Sequence, residues 1–352
     1  MTHNFLMAGG GTGGHVIPGL AVARELRARG HQVCFVGTEH GMEGKLVPAA
    51  GFDLQTIQIG GLNGVGLRRT ISTLGRLPIA TVSSNRCVRT ADAVFSMGGY
   101  VAGPPVIAAI LNRVPVVVME PNAVPGFTNR SISRLVARAL VSFPETADFF
   151  PRGRTEVIGL PVREEFFQIQ PKAPGDVLHL LITGGSQGAR TLNHAAMQSW
   201  PFFREAGFPI RITHQTGTAG FDEIHDAFAK SGIEGEVVRF ISDMPAAFAD
   251  ADLVICRSGA GAVSELAASG KPSILVPFPY ASDNHQTRNA QAMERGGASR
   301  LIRDAEMTGK MMFETISQLT ANLAAMGEAA RQFAKPGAAR RAADVLEEVA
   351  TA

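Results

Sequence analysis

Glycine spacing is the first chemistry this sequence offers. Gly9, Gly11 and Gly14 satisfy G-x-G-x-x-G between a short apolar run and a helical pattern. Glycines at that place let a backbone approach a diphosphate, and a helix start favours its negative charge. Glu39 closes the second apolar run, where a dinucleotide site keeps an acidic ribose ligand, so a nicotinamide-dependent oxidoreductase is one open reading. Further glycine turns follow at Met97-Gly98-Gly99-Tyr100 and at Gly184-Gly185-Ser186-Gln187-Gly188. Three anion-binding turns suit two diphosphate ligands better than one dinucleotide, although each turn alone could equally be a tight strand-to-helix connection. The second half adds Arg257-Ser258-Gly259-Ala260-Gly261-Ala262-Val263-Ser264-Glu265, again small residues at a helix start. Glu265 can accept from two hydroxyls of a ribose there, and a surface Glu favoured by the helix dipole fits the spacing as well. Asp283-Asn284-His285-Gln286-Thr287-Arg288-Asn289-Ala290 opens another helix. Its amides suit sugar hydroxyls, and Asp283 equally suits an ordinary cap. His15 directly follows the first glycine turn. Beside a diphosphate it is either a general base or a cationic phosphate donor.

These turns need strands and helices to carry them. Apolar runs at Phe5–Ala8, Gln32–Val36, Ala93–Met97, Val116–Met119 and Ala139–Ser142 alternate with helix-length segments. After the first run, Ile17, Leu20, Ala21, Arg24 and Ala28 share a helical face that only Arg24 interrupts. A stretch with Pro161, Pro171 and Pro174 has no clear period and reads as a hinge. The pattern restarts with strands at Leu178–Thr183, Ile210–Thr213, Val237–Phe240, Leu253–Cys256 and Ser273–Val276, and an Ala-rich helical stretch runs from Ala305 onward. The expectation is an α/β protein of two doubly wound, Rossmann-like domains facing across a cleft, with ligands at the carboxyl ends of the strands. Asp250-Ala251-Asp252, the one Asp-x-Asp, precedes a strand. It is therefore read as a structural turn, not as a metal–diphosphate clamp.

Composition bounds the class. The 352 residues, at about 150 per domain, suggest two domains. With 45% hydrophobic residues and 18% charged ones, the chain can bury sizeable cores. A net charge of +2 is too balanced for a dedicated nucleic-acid binder. Cys34, Cys87 and Cys256 are far apart, which argues against a zinc site or a disulfide framework and fits a reducing cytoplasm. Met1 to Gly10 holds no Lys or Arg and does not read as a signal peptide, and no apolar stretch approaches a membrane span. Between Asp53 and Asp92 there is no acidic residue, while Arg68, Arg69, Arg76, Arg86 and Arg89 are present. Leu67, Ile71 and Leu74 recur there at helical spacing, and Leu77 precedes Pro78. That segment is expected to dock on an anionic membrane surface; an ordinary core-facing helix with solvated arginines is the competing account.

Taken together, Gly10-Gly11-Thr12-Gly13-Gly14-His15 with Pro18-Gly19-Leu20-Ala21, Gly98-Gly99-Tyr100, Gly184 to Ala189, Arg257 to Ala260 with Glu265, and His285-Gln286 with Asn289-Ala290 resemble the MurG family of bacterial peptidoglycan glycosyltransferases. The resemblance implies the GT-B fold. It implies an N-terminal acceptor and membrane-associating domain over residues 1–161 and a C-terminal UDP-sugar domain over 162–352, with the last helix free to pack back on the first. The reaction it implies moves N-acetylglucosamine (GlcNAc) from UDP-GlcNAc to the C4 hydroxyl of undecaprenyl-diphosphate-linked N-acetylmuramyl-pentapeptide, lipid I to lipid II, with inversion. This is a cell-wall step at the cytoplasmic face of the inner membrane, with no cofactor or metal expected and other cell-wall enzymes open as partners. A sugar-nucleotide 2-epimerase of similar fold is the nearer alternative. By position, Thr12, Gly13 and Gly14 would border the donor sugar and the acceptor diphosphate. Asn122 would touch the donor, and Arg163 and Ser186 its nucleotide-diphosphate portion. Ile241 would offer its backbone to uracil. Ala260, Gly261, Ala262, Val263, Ser264 and Glu265 would wrap the diphosphate and ribose, and Gln286 would read GlcNAc hydroxyls. His15 would be the base, with Glu120 second. Two positions depart from the family. Met119-Glu120-Pro121-Asn122 replaces His-Glu-Gln-Asn, so Pro121 removes a backbone donor. His285 stands where some members have Gln.

Overall fold

Runs rich in Val, Ile, Leu and Phe form the central strands of two all-parallel sheets, as expected of strands buried on both faces. The computed structural model describes residues 1–11, 13–60, 67–172, 175–185, 187–281 and 284–351, without the side chains of 67–74. Thr12, Ser186 and Asp283, and the side chains of Leu67, Arg68, Arg69, Ile71 and Leu74, therefore lie outside the described residues.

The chain divides into two units, Met1–Val162 with Gly337–Ala352, and Arg163–Pro336. The first holds β1 (Asn4–Gly9), β2 (Gln32–Gly37), β3 (Asp53–Thr56), β4 (Ala93–Gly98), β5 (Val116–Glu120), β6 (Arg138–Val141) and β7 (Thr155–Val157). Their order is β3-β2-β1-β4-β5-β6-β7, and every pairing is parallel. The second holds β8 (Leu178–Thr183), β9 (Ile210–Gln215), β10 (Glu234–Val238), β11 (Leu253–Cys256), β12 (Ser273–Leu275) and β13 (Ser299–Leu301). Their order is β10-β9-β8-β11-β12-β13, again parallel throughout. In each sheet the strand order reverses once, between β1 and β4 and between β8 and β11. At such a switch point two strand-to-helix turns splay apart and leave room for a ligand.

The helix Gly13–Ala28 corrects one expectation. It buries Val16, Gly19, Leu20, Val22, Ala23 and Leu26. The face read from Ile17, Arg24 and Ala28 points to solvent, and Ile17 is half exposed at 51%. The strand expected at Val237–Phe240 lies earlier, at Glu234–Val238. The helix Ala338–Ala350 belongs to the first unit. It buries Ala342, Ala343, Val345 and Leu346. Arg29 donates to Asp344 at 2.7 Å and to Glu347 at 2.8 Å, and Arg341 grips Glu156 through two bonds of 2.8 Å. The apolar face supplies most of this docking energy, because ion pairs this exposed contribute about 0–1 kcal/mol each.

Candidate functional site

In the first unit, β1 ends at Gly9 and the helix begins at Gly13, so three residues separate them. A buried carboxylate shapes it. Glu43, from the helix Glu43–Ala49, is fully buried. Its Oε2 accepts from the Gly11 N–H at 2.7 Å, and its Oε1 accepts from the N–H and hydroxyl of Thr38 at 2.9 and 2.6 Å. Burial pushes its pKa up, but the Thr38 hydroxyl and the backbone donors of Thr38, Glu43 and Gly11 outweigh burial and hold it below the usual carboxylate range. Gly10 must be glycine here, since a Cβ would stand 2.4 Å from that carboxylate. This disposes of the dinucleotide reading. Glu39, its proposed ribose ligand, is exposed, and the Gly11 N–H that a pyrophosphate would use is already donated to Glu43. The donors left to an anion at this turn are those of the helix start, at Gly13 and Gly14.

His15 stands on the first turn of that helix. Its Nδ1 donates to the Gly10 carbonyl at 3.3 Å. The ring also lies against the second glycine turn, since a Cβ on Gly99 would meet it at 3.3 Å. The two turns of the first switch point thus meet at an imidazole.

Glu120 ends β5 and is 2% exposed. Its Oε1 accepts from the Asn122 N–H and Nδ2 at 3.0 and 3.1 Å, and its Oε2 from the Gly126 N–H and Asn129 Nδ2 at 3.1 and 3.0 Å. Burial raises its pKa against these bonds. A carboxylate so enclosed and so occupied holds the loop 121–126; it is poorly placed to take a proton from a substrate. These bonds bear against the expectation that Glu120 is the second-choice base. Asn122 gives its Nδ2 to Glu120 and its carbonyl to the Thr146 hydroxyl, so it serves that loop too.

In the second unit, the turn after β8 and the turn after β11 flank the second switch point. Gln215, at the end of β9, ties the first of them down. Its Nε2 donates to Thr183 Oγ1 and the Gly185 carbonyl, and its Oε1 accepts the Ile241 N–H at 2.8 Å. The Ile241 N–H expected to meet uracil is thus engaged and reaches a base only by exchange with Gln215. After β11, the helix Ala260–Ser269 starts at Gly259. The N–H groups of Ala260, Gly261 and Ala262 are the open ones, whereas the Val263 N–H already bonds to the Gly259 carbonyl and its side chain is buried. A Cβ on Gly259 or Gly261 would meet nothing within 4 Å. Ser264 and Glu265 follow on the same helix and are half-buried. Glu265 Oε1 lies 3.9 Å from the Arg163 guanidinium, which in turn stacks over Phe166. Burial pushes the Glu265 carboxyl up to about 7, against the pull of Arg163. Ser258 donates to the Gln286 carbonyl at 2.8 Å, and Asn289 donates to the Ser258 carbonyl at 3.2 Å, which straps the helix His285–Arg295 to this turn. Gln286 Oε1 accepts the Phe278 N–H, so Nε2 is the atom it can offer. Asp250 and Asp252 lie at the other end of the sheet, engaged with His179, Lys172 and Arg211.

The same set of turns recurs in known proteins. The N-terminal domain model of glycosyltransferase family 28 matches residues 5–141, and the C-terminal domain model of that family matches 179–348. A relative from Solibacter usitatus (strain Ellin6076) is named UDP-N-acetylglucosamine–N-acetylmuramyl-(pentapeptide) pyrophosphoryl-undecaprenol N-acetylglucosamine transferase. It is 74% identical, over 99% of this chain and 96% of its own. The crystal structure of Acinetobacter baumannii MurG superposes with a TM-score of 0.82 at 34% identity, covering 98% of this chain and 99% of that one. The chain belongs to the MurG family of glycosyltransferases. A UDP-GlcNAc 2-epimerase from Neisseria meningitidis shares the fold, with a TM-score of 0.65 over 99% of this chain and 100% of its own, but only 13% of the sequence. Fold alone therefore does not separate the two activities, whereas full-length identity with MurG enzymes does. Glu43, Asn129 and Gln215 escape motif reading because each acts from a strand end or helix outside the glycine turns it holds.

The two kinds of glycine predict opposite responses. Gly10→Ala forces a methyl onto a carboxylate pinned by four donors and should cost about 1–3 kcal/mol. Gly261→Ala has open space in a helix and should be neutral or stabilising by about 0.5–1 kcal/mol. Thermal unfolding of the two variants measures both.

Proposed function

We propose that this chain transfers N-acetylglucosamine from UDP-N-acetylglucosamine to the C4 hydroxyl of undecaprenyl-diphosphate-linked N-acetylmuramyl-pentapeptide, the step from lipid I to lipid II in peptidoglycan synthesis. The observation that carries this is the 74% identity over nearly the whole chain to a transferase of that name. The second unit takes the UDP-sugar. Its helix start at Ala260, Gly261 and Ala262, with Arg163, takes the diphosphate, a role the family resemblance also gives Ser186; Glu265 receives the ribose hydroxyls, and Gln286 Nε2 reads a sugar hydroxyl. The first unit takes the acceptor, with Thr12, Gly13 and Gly14 at its diphosphate. Ile17 is half exposed and Met42 41% exposed. Both side chains border Gly13, where a Cβ would meet Met42 Sδ at 3.4 Å and Ile17 Cδ1 at 3.6 Å, an apolar lip suited to a lipid-linked substrate.

The chemistry is a single displacement with inversion. The acceptor oxygen forms a bond to the anomeric carbon as the bond to the UDP oxygen breaks. The hydroxyl proton passes to a base, and the bonding pair leaves on the diphosphate. Helix-start N–H groups and Arg163 stabilise that charge. His15 is the base. With its proton on Nδ1 donated to Gly10, the lone pair sits on Nε2, the arrangement a neutral imidazole base needs. A transfer assay with a lipid I analogue tests the activity. His15→Ala should lower kcat by about 10² and leave donor KM nearly unchanged. A variant that keeps kcat and raises only acceptor KM makes His15 a phosphate clamp instead.

Glu265 adds a pH signature. Only the ionised carboxylate accepts from both ribose hydroxyls, and its pKa is raised to about 7. Donor KM should therefore fall as pH rises through 7, and Glu265→Gln should flatten that dependence while raising KM roughly tenfold or more. A KM series for UDP-GlcNAc from pH 6 to 8 reads both.

The reading includes peripheral attachment to the cytoplasmic face of a membrane, by the first unit. No helix among the described residues is long and apolar enough to cross one. Arg76, Ile79, Val82 and Arg86 of the helix Leu67–Val88 and Arg89 just after it are exposed, and Leu111, ending the helix Gly103–Leu111 that packs against it, is 74% exposed. Apolar side chains ringed by arginines suit an anionic lipid surface, at about 1 kcal/mol per Arg. Replacing Arg76, Arg86 and Arg89 together by Ala should weaken sedimentation with anionic vesicles at low salt by about 10². Unchanged binding would return this face to solvent.

A further inference from the structure

Glu43 and His15 bond to opposite ends of one peptide group. The Gly11 N–H donates to Glu43 Oε2 at 2.7 Å, and the carbonyl of the same peptide, Gly10 C=O, accepts from His15 Nδ1 at 3.3 Å. We propose that Glu43 is a positioning residue that tunes His15 through the Gly10–Gly11 peptide, so that a buried carboxylate and an imidazole act as a pair without touching. The inference rests on the base reading of His15 for its function, but not for its existence.

A carboxylate accepting an amide N–H pulls that amide's polarisation toward itself, which leaves more negative charge on the carbonyl oxygen. A more negative carbonyl holds the Nδ1–H more strongly, above all when the ring is imidazolium, and so raises the basicity of Nε2. Chains of such bonds strengthen one another in a low-dielectric setting, and Glu43 is fully buried. The geometry is also rigid. Gly10, Gly37 and Gly41 each approach the Glu43 side chain so closely that a Cβ would overlap it, at 2.4, 2.5 and 2.2 Å. A carboxylate needed merely to fill space would not require three glycines around it. The donors of Thr38 and Gly11 keep Glu43 below the usual carboxylate range despite its burial, so it is charged at neutral pH.

Other titratable groups face this turn from its neighbours. Tyr100, from the second glycine turn, lies under Gly11, where a Cβ would meet its ring at 3.1 Å. Burial first and the Glu43 charge second push the phenol up, so it is neutral in the working range. Glu120 lies behind Gly98, bonded to the Asn129 amide that a Cβ on Gly98 would strike. Neither is bonded to the Gly10–Gly11 peptide.

The test follows the His15 ring and the Gly11 amide by NMR titration of the full chain. In the unaltered protein the Gly11 amide shift should track the His15 midpoint. In Glu43→Gln the His15 midpoint should fall by on the order of 1 unit, the size expected of a charge removed two hydrogen bonds away at an effective dielectric near 20. The acid limb of kcat against pH should move down with it. A purely structural Glu43 would lower Tm and leave that midpoint in place, which overturns the proposal. So does a Gly11 amide indifferent to His15, a measurement that needs no variant. If the midpoint shifts while His15→Ala keeps its kcat, the coupling stands and the base assignment falls.

Discussion

A buried carboxylate must have its oxygens occupied by donors, and the first unit is built around two that meet this demand with loop backbone. Glu43 takes the Gly11 N–H and both donors of Thr38, and Glu120 takes the N–H groups of Asn122 and Gly126 with the amides of Asn122 and Asn129. Each anchors a segment that follows a strand end. Turns at the carboxyl edge of a parallel sheet have no ladder partners of their own. Without these acceptors their N–H groups would be left to water, and their conformations to chance.

The second unit solves the same problem with neutral groups. The amide of Gln215 links Thr183, Gly185 and Ile241. The turn after β8 also presses against the end of β9, since a Cβ on Gly188 would fall 1.8 Å from the Thr216 carbonyl. Gly188 has φ +76, a conformation that glycine adopts without cost. An amide holds the turn without adding charge beside Arg163 and the helix start.

What could be read from residue order follows the same physics. The central strands are legible because both of their faces are buried. Leu178–Thr183 and Leu253–Cys256 are observed with the bounds their apolar runs suggest. The strands missed or shifted, β3, β7, β10 and β13, are the four edges of the two sheets. An edge strand pairs on one side only and tolerates polar residues, as Glu234-Gly235-Glu236 of β10 shows. The glycine turns and Glu265 were visible because their spacing is local. Glu43 and Gln215 were not, because they reach those turns from 32 and 30 residues away. Glu39 suits a ribose ligand only by its place after β2; it is exposed there, and Glu43, four residues later, is the carboxylate that folds back.

Sorting carboxylates by how fully they are bonded separates scaffold from chemistry more sharply than burial does. Glu43 and Glu120 are both nearly inaccessible, and internal donors occupy both oxygens of each; they have nothing left to give a substrate. Glu265 is less enclosed, and Arg163 stands off at 3.9 Å. Among the described residues no donor bonds to its oxygens, and burial carries its pKa to about 7; hydrogen bonds hold Glu43 low, and at Glu120 they oppose burial without overcoming it. A carboxylate kept short of partners in a half-open site is unstable on its own terms and is relieved by a ligand that brings hydroxyls.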